Sequence, residues 1–119
     1  ELIDMVPNQE LPFYMNSSSI FVQPSSFEGN PKSLLEAMSC EIPVIGANSP
    51  GISNLITHNN NGYICEPTID GIRNAINDLI NKVELQNNLS KNARQYILDN
   101  HSLALTVESE LELYNEVLK

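Results

Sequence analysis

Glu28 and Glu36 bracket the seven residues Gly29-Asn30-Pro31-Lys32-Ser33-Leu34-Leu35. Pro31 suits the first position of a helix, because its φ is already helical and it has no N–H to leave unpaired. The N–H groups of Lys32, Ser33 and Leu34 would then lack intrahelical partners and point out of the helix start. With the helix dipole they would make an anion site, and a diphosphate fits it. Gly29 lets the backbone take a positive φ or come close to a ligand. Glu36 lies one turn in, on the face that carries Lys32 and Ser33. A carboxylate accepts two hydrogen bonds side by side, which suits a vicinal diol such as that of a ribose. Such charged hydrogen bonds are worth roughly 1.5–3 kcal/mol each. Glu28, ahead of the helix, would reach a sugar hydroxyl beyond the phosphates.

Plainer readings of the same residues stay open at this point. Glu36 could pair with Lys32 at i, i+4, in the poorer orientation and for only roughly 0.2–0.5 kcal/mol. Glu28 could be an ordinary acidic residue favoured weakly by the helix dipole.

The elements that must position these residues follow from punctuation and period. Leu2-Ile3-Asp4-Met5-Val6 is a short apolar run ended by Pro7 and is expected to be a strand. Asn8 is expected to cap a short helix reaching Met15. Ser19 to Gln23 reads as a second strand, stopped by Pro24. After the loop 24–30, a helix is expected from Pro31 to Ser39 or Cys40. Pro43 to Gly46 reads as a third strand, Pro50-Gly51 as a turn, Ile52 to Ile56 as a short helical piece. Asn59-Asn60-Asn61-Gly62 is a turn signal leading into a fourth strand, Tyr63-Ile64-Cys65.

Beyond Pro67 the period becomes helical. Thr68 caps a run with Ile69, Ile72, Ile76, Leu79, Ile80 and Val83 on one face. Leu85, Leu89, Ala93, Tyr96 and Ile97 mark a second helix, and Val107, Leu111, Tyr114 and Leu118 a third. These stripes read as packing faces. Strands alternating with helices imply an α/β fold, a Rossmann-like parallel sheet with helices on both faces and a helical tail. Such sheets bind ligands at the carboxyl ends of their strands, where the loop carrying Glu28 lies.

The 119 residues are the size of one domain, with a formal net charge of −9. That balance disfavours nucleic acid and polybasic docking to anionic lipid. Lys32 is the only basic residue of the first half, so a phosphorylated ligand needs a local device. Cys40 and Cys65 form no C-x-x-C and read as free thiols of a reducing compartment. His58 and His101 have no ligand-spaced neighbours, so no metal site is expected. No apolar run approaches the roughly 20 residues that span a bilayer. No signal peptide is visible, and the chain begins with Glu1, which suggests a piece of a longer protein.

The string Pro24-Ser25-Ser26-Phe27-Glu28-Gly29-Asn30-Pro31-Lys32-Ser33-Leu34-Leu35-Glu36-Ala37-Met38 resembles the Glu-x7-Glu signature of retaining glycosyltransferases of the GT-B fold, family 4 type. Cys40 to Gly46, Pro50-Gly51-Ile52 and Asn61 to Ile64 resemble the family's following strand, loop and strand, and the three closing helices fit too. The resemblance implies a donor site for a nucleoside-diphosphate sugar. Glu36 matches the carboxylate that holds the donor ribose, and Glu28 the acidic residue near the transferred sugar. The backbone of Gly29, Asn30, Pro31, Lys32, Ser33 and Leu34 matches the segment against sugar and diphosphate. It further implies transfer with retention, no metal or other cofactor, a cytoplasmic location with peripheral membrane association as an option, and a role in glycan or polysaccharide synthesis. Glu28 would position and stabilise charge rather than attack.

Glu41 stands where the family often has glycine, in the expected helix-to-strand turn. Compared with the family, residues 1–119 are expected to be a partial C-terminal domain. The amino-terminal domain that holds a glycan, lipid or other acceptor is missing, as are the first two strands with their basic residues. In the family's strand order 3-2-1-4-5-6, Leu2 to Val6 would be the third strand without its neighbour. It is expected at a new sheet edge or at a self-association contact, and the chain alone is expected to be inactive. A related sugar-nucleotide epimerase and a non-catalytic binding module are the alternatives.

Overall fold

The computed structural model describes residues 1–119 throughout. Three strands, β1 (Phe21–Gln23), β2 (Val44–Ala47) and β3 (Tyr63–Cys65), form a parallel sheet in the order β1-β2-β3. Phe21 lies opposite Val44, and Ile45 opposite Tyr63. Five helices complete the chain: α1 (Leu11–Asn16), α2 (Lys32–Ser39), α3 (Ile69–Ile80), α4 (Val83–Asn100) and α5 (Leu103–Val117). The expected Rossmann-like α/β class and the helical ending are both present.

β2 is buried along its whole length, as the central strand of a sheet covered on both faces must be. Side chains alternate across the sheet. Val44 therefore joins one core, with Leu34, Ala37 and Met38 of α2 and Ala93 and Ile97 of α4. Ile45 joins the other, with Ala75 and Leu79 of α3 and Leu89 of α4. Helix α4 thus serves both cores at successive turns. Thr68 caps α3 as its position implies, its hydroxyl accepting from the Gly71 N–H at 3.0 Å.

Several expectations need correction. Leu2–Val6 forms no strand and does not pair with β1; Leu2 and Met5 are fully exposed. An apolar run becomes a strand only with a ladder partner, and this one has none. The sheet edge belongs instead to β1. Asn8 caps no helix: a turn closes between Pro7 and Glu10, and α1 starts at Leu11, with Pro12 in its first turn. Pro31 is the N-cap of α2 rather than its first helical residue. Ile52 to Ile56 makes one helical turn only. Val83 opens α4 instead of closing α3. The stripe Val107, Leu111, Tyr114 and Leu118 is not a packing face within the chain, because α5 buries none of its residues.

The turn between α2 and β2 explains Glu41. Its φ is +58°, the left-handed conformation that favours glycine. The Glu41 N–H donates to the Met38 carbonyl at 3.1 Å and the Ile42 N–H to the Ala37 carbonyl at 3.2 Å. That pair of bonds closes the helix by a Schellman motif and sends the chain directly into β2.

Candidate functional site

The carboxyl ends of the three parallel strands lie along one edge of the sheet. The loop after β1 (24–31) and the loop after β2 (48–57) are tied together there. The Ser49 hydroxyl donates to the Ser25 carbonyl at 2.7 Å. The Glu28 N–H donates to the Pro50 carbonyl at 3.1 Å. Gly51, at φ +89°, lies so close beneath the Glu28 carbonyl that a Cβ there would stand 1.9 Å from its oxygen. The loop after β2 is also held by a residue that follows it. Asn61 is 3% exposed; its Oδ1 accepts from the Thr57 N–H at 2.7 Å and its Nδ2 donates to the Leu55 carbonyl at 3.0 Å.

Glu28 is half-buried, and its Oε1 accepts from Gln23 Nε2 at 2.9 Å. The same nitrogen donates to Ser25 Oγ at 2.9 Å. Glu28 Oε2 has no partner within the chain. Pro31 accepts at its carbonyl from the Leu34 and Leu35 N–H groups, and the Lys32 N–H turns back to the Asn30 carbonyl. Of the three N–H groups expected to be free, only that of Ser33 is. The other unbonded N–H groups of the segment are those of Gly29 and Asn30. The array of unbonded N–H groups therefore begins earlier in the loop than a regular helix start would place it. Gly29 does not use a positive φ, and a Cβ there would meet nothing within 4 Å. Its backbone is open to approach from outside.

Glu36 is half-buried and forms neither an ion pair nor a hydrogen bond through its side chain. The pairing with Lys32 is not made; Lys32 is exposed. Glu36 lines a cleft of about 370 Å³ together with Asn8, Leu11, Met15, Ser39 and His101. Glu28 to Ser33 do not line this cleft; Gly29, Asn30, Lys32 and Ser33 are exposed, while Glu28 is half-buried and Pro31 buried. The two carboxylates thus serve different surroundings, Glu28 the loop edge and Glu36 the α1 side of α2.

Burial pushes the Cys40 thiol up against the opposing pull of Arg94, with Glu36 adding to the rise. Burial also raises Cys65, helped by Glu66. Both are free thiols held in the protonated form, Cys65 buried and Cys40 half-buried. Tyr63 donates its hydroxyl to Asp78 at 2.7 Å and Lys82 pairs with the same carboxylate, a surface cluster away from the loops after β1 and β2. No three His, Cys, Asp or Glu side chains converge as metal ligands would. No helix is long and apolar enough to cross a membrane.

Sequence reasoning missed Gln23, Ser49 and the Gly51 contact with Glu28. Gln23 had a visible signal, a polar side chain closing an apolar strand. The other two arise from loops more than twenty residues apart, and nothing local marks them.

Residues 1–96 match the family model described as glycosyl transferases group 1. An uncharacterised glycosyltransferase of Haemophilus influenzae is 36% identical over 77% of this chain and 27% of its own length. An Escherichia coli UDP-Gal:alpha-D-GlcNAc-diphosphoundecaprenol alpha-1,3-galactosyltransferase is 30% identical over 92% of this chain and 28% of its own. Among solved structures, the sucrose-phosphate synthase of Thermosynechococcus elongatus superposes with a TM-score of 0.94 at 21% identity, covering 99% of this chain and 30% of that one. Anabaena HepE in complex with UDP and glucose gives 0.84 at 21% identity, over 89% of this chain and 29% of that one. The chain spans under a third of the length of each.

Proposed function

This chain belongs to the glycosyl transferases group 1 family, and we propose that residues 1–119 form the donor side of a retaining, family 4 type hexosyltransferase. The donor is a nucleoside-diphosphate sugar, and no metal takes part. The reaction belongs to glycan synthesis in the cytoplasm, and the acceptor is held by parts of the protein outside these residues. Uridine diphosphate sugars are the first donors to test. HepE was solved with UDP and glucose, and the Escherichia coli relative is named for UDP-Gal.

One observation carries this reading. The Glu28 carboxylate is fixed at the carboxyl edge of a parallel sheet, next in sequence to the unbonded N–H groups of Gly29 and Asn30 and ahead of that of Ser33 at the start of α2. Those N–H groups take the diphosphate oxygens, aided by the α2 dipole and by Lys32. Glu36, with no partner of its own, takes the ribose diol. Glu28 faces the sugar. As the bond from the anomeric carbon to the diphosphate breaks, its electron pair leaves on the phosphate and positive charge grows on the sugar ring. The carboxylate stabilises that charge. The acceptor hydroxyl attacks on the same face and its proton passes to the departing phosphate oxygen.

The 119 residues alone do not transfer sugar in this scheme, because nothing in them holds an acceptor against the donor. The free edge of β1 is their proposed self-association contact. The test is a thermal-shift screen of the full-length protein against UDP, GDP, ADP, the matching monophosphates and the diphosphate sugars. A shift with one base, larger with diphosphate than with monophosphate, is expected. No shift with any of them would refute the donor site.

A further inference from the structure

We propose that Gln23 is a positioning residue for this reaction, acting through Glu28; the inference rests on the role of Glu28 just given. Phe21 packs toward the α2 core and Val22 toward the α3 core. Strand alternation therefore puts Gln23 on the α2 side, at the last position of β1 and opposite Gly46. From there its amide reaches into the loop after β1. A carboxylate only accepts, so the nitrogen, not the oxygen, of the Gln23 amide faces Glu28. Ser25 Oγ takes the second hydrogen of that nitrogen. With both hydrogens engaged, the amide has one orientation, and Glu28 Oε1 is tied to it at 2.9 Å.

The consequence is a division of labour between the two Glu28 oxygens. Oε1 is spent on Gln23, and Oε2 alone is left for the sugar. The main-chain bond from Glu28 to Pro50 holds the backbone of the same residue. The side chain is thus anchored to the last residue of β1, and the backbone to the loop after β2. A carboxylate on an open loop would otherwise sample several rotamers, most of them turned away from the donor. Gln23 touches no donor atom in this account; it selects the rotamer of the residue that does.

The test uses the full-length protein with UDP-glucose, UDP-galactose and UDP-N-acetylglucosamine as donors. Gln23→Leu removes the amide, and Gln23→Glu keeps its shape while replacing the donor by a like charge. Each should lower kcat about tenfold or more, the weight of one charge-assisted hydrogen bond. The donor KM and the affinity for UDP should stay within about twofold, as for an interaction that matters only in the reacting complex. In a Glu28→Ala background, Gln23→Leu should cost nothing further, because the group it positions is gone. An equal loss in both backgrounds, or a joint loss of UDP affinity and turnover, would make Gln23 a structural residue only. Wild-type kcat in Gln23→Leu beside a crippled Glu28→Ala would remove the role of Gln23 and leave that of Glu28. Wild-type turnover in Glu28→Ala would remove both.

Discussion

Gly51 and Glu28 are in a contact that no side chain permits: a Cβ on Gly51 would stand 1.9 Å from the Glu28 carbonyl oxygen, on a residue whose φ is +89°. One glycine therefore sets how closely the loop after β2 approaches the loop that carries the candidate site. Gly51→Ala should destabilise the fold by about 1–3 kcal/mol from backbone strain alone. It should also displace Glu28, so that turnover falls further than stability explains. Denaturation midpoints and kcat measured on the same preparations check this. An alanine variant with normal stability and turnover would show that the contact does not constrain the loop.

Glu41 presents the opposite case, a side chain where glycine would fit better. At φ +58° in the Schellman turn after α2, an L-residue carries a cost of roughly 1–2 kcal/mol. Glycine removes it while adding roughly 0.5–1 kcal/mol of unfolded-state entropy. Glu41→Gly should therefore stabilise by about 0.5–1 kcal/mol net. Chemical denaturation reads the sign directly, and donor affinity should not change.

Asn61 holds the loop after β2 through two main-chain groups, the Thr57 N–H and the Leu55 carbonyl. Asn61→Leu would leave both unpaired in a buried site, at a cost of roughly 2–4 kcal/mol. Asn61→Ala, which leaves room for a water, should cost less. Equal stability of the two variants and the wild type would contradict the structural role assigned to this side chain.

The parts of the fold that the sequence made legible are those fixed by local chemistry. Thr68 as a cap, the period of α3 and α4, and the strand Tyr63–Cys65 needed no long-range knowledge. Leu2–Val6 misled because its composition suits a strand, whereas strand formation depends on a partner elsewhere. The stripe on α5 misled for a related reason: helical period reports that a face is apolar, not that this chain covers it. At the candidate site, Glu28 and Glu36 stood out by type and spacing. The identity of the free N–H groups did not, because Pro31 folds the chain back and satisfies Leu34 while leaving Gly29 and Asn30 open. The contacts of Gln23, Ser49 and Gly51 join loops or strand ends and exist only in three dimensions.

Glu28 and Glu36 should separate in their effects. In the full-length protein, Glu28→Ala should lower turnover at saturating donor far more than it weakens nucleotide binding, because its carboxylate is the group proposed to meet the reacting sugar. Steady-state kinetics with UDP-glucose, UDP-galactose and UDP-N-acetylglucosamine, compared with UDP inhibition constants, would resolve the two. Lost nucleotide binding with normal turnover at saturation would reverse the assignment.

α2 and the loop before it are proposed to hold a nucleoside diphosphate, with Glu36 on the ribose. Calorimetric titration of UDP into the full-length wild type, Glu36→Gln and Glu28→Ala tests it most directly. Glu36→Gln should weaken UDP about tenfold or more, the loss expected for charged hydrogen bonds to a diol, while Glu28→Ala stays within about twofold of wild type. Unchanged affinity in Glu36→Gln, or a wild-type protein that binds neither UDP nor any other nucleoside diphosphate, would contradict it.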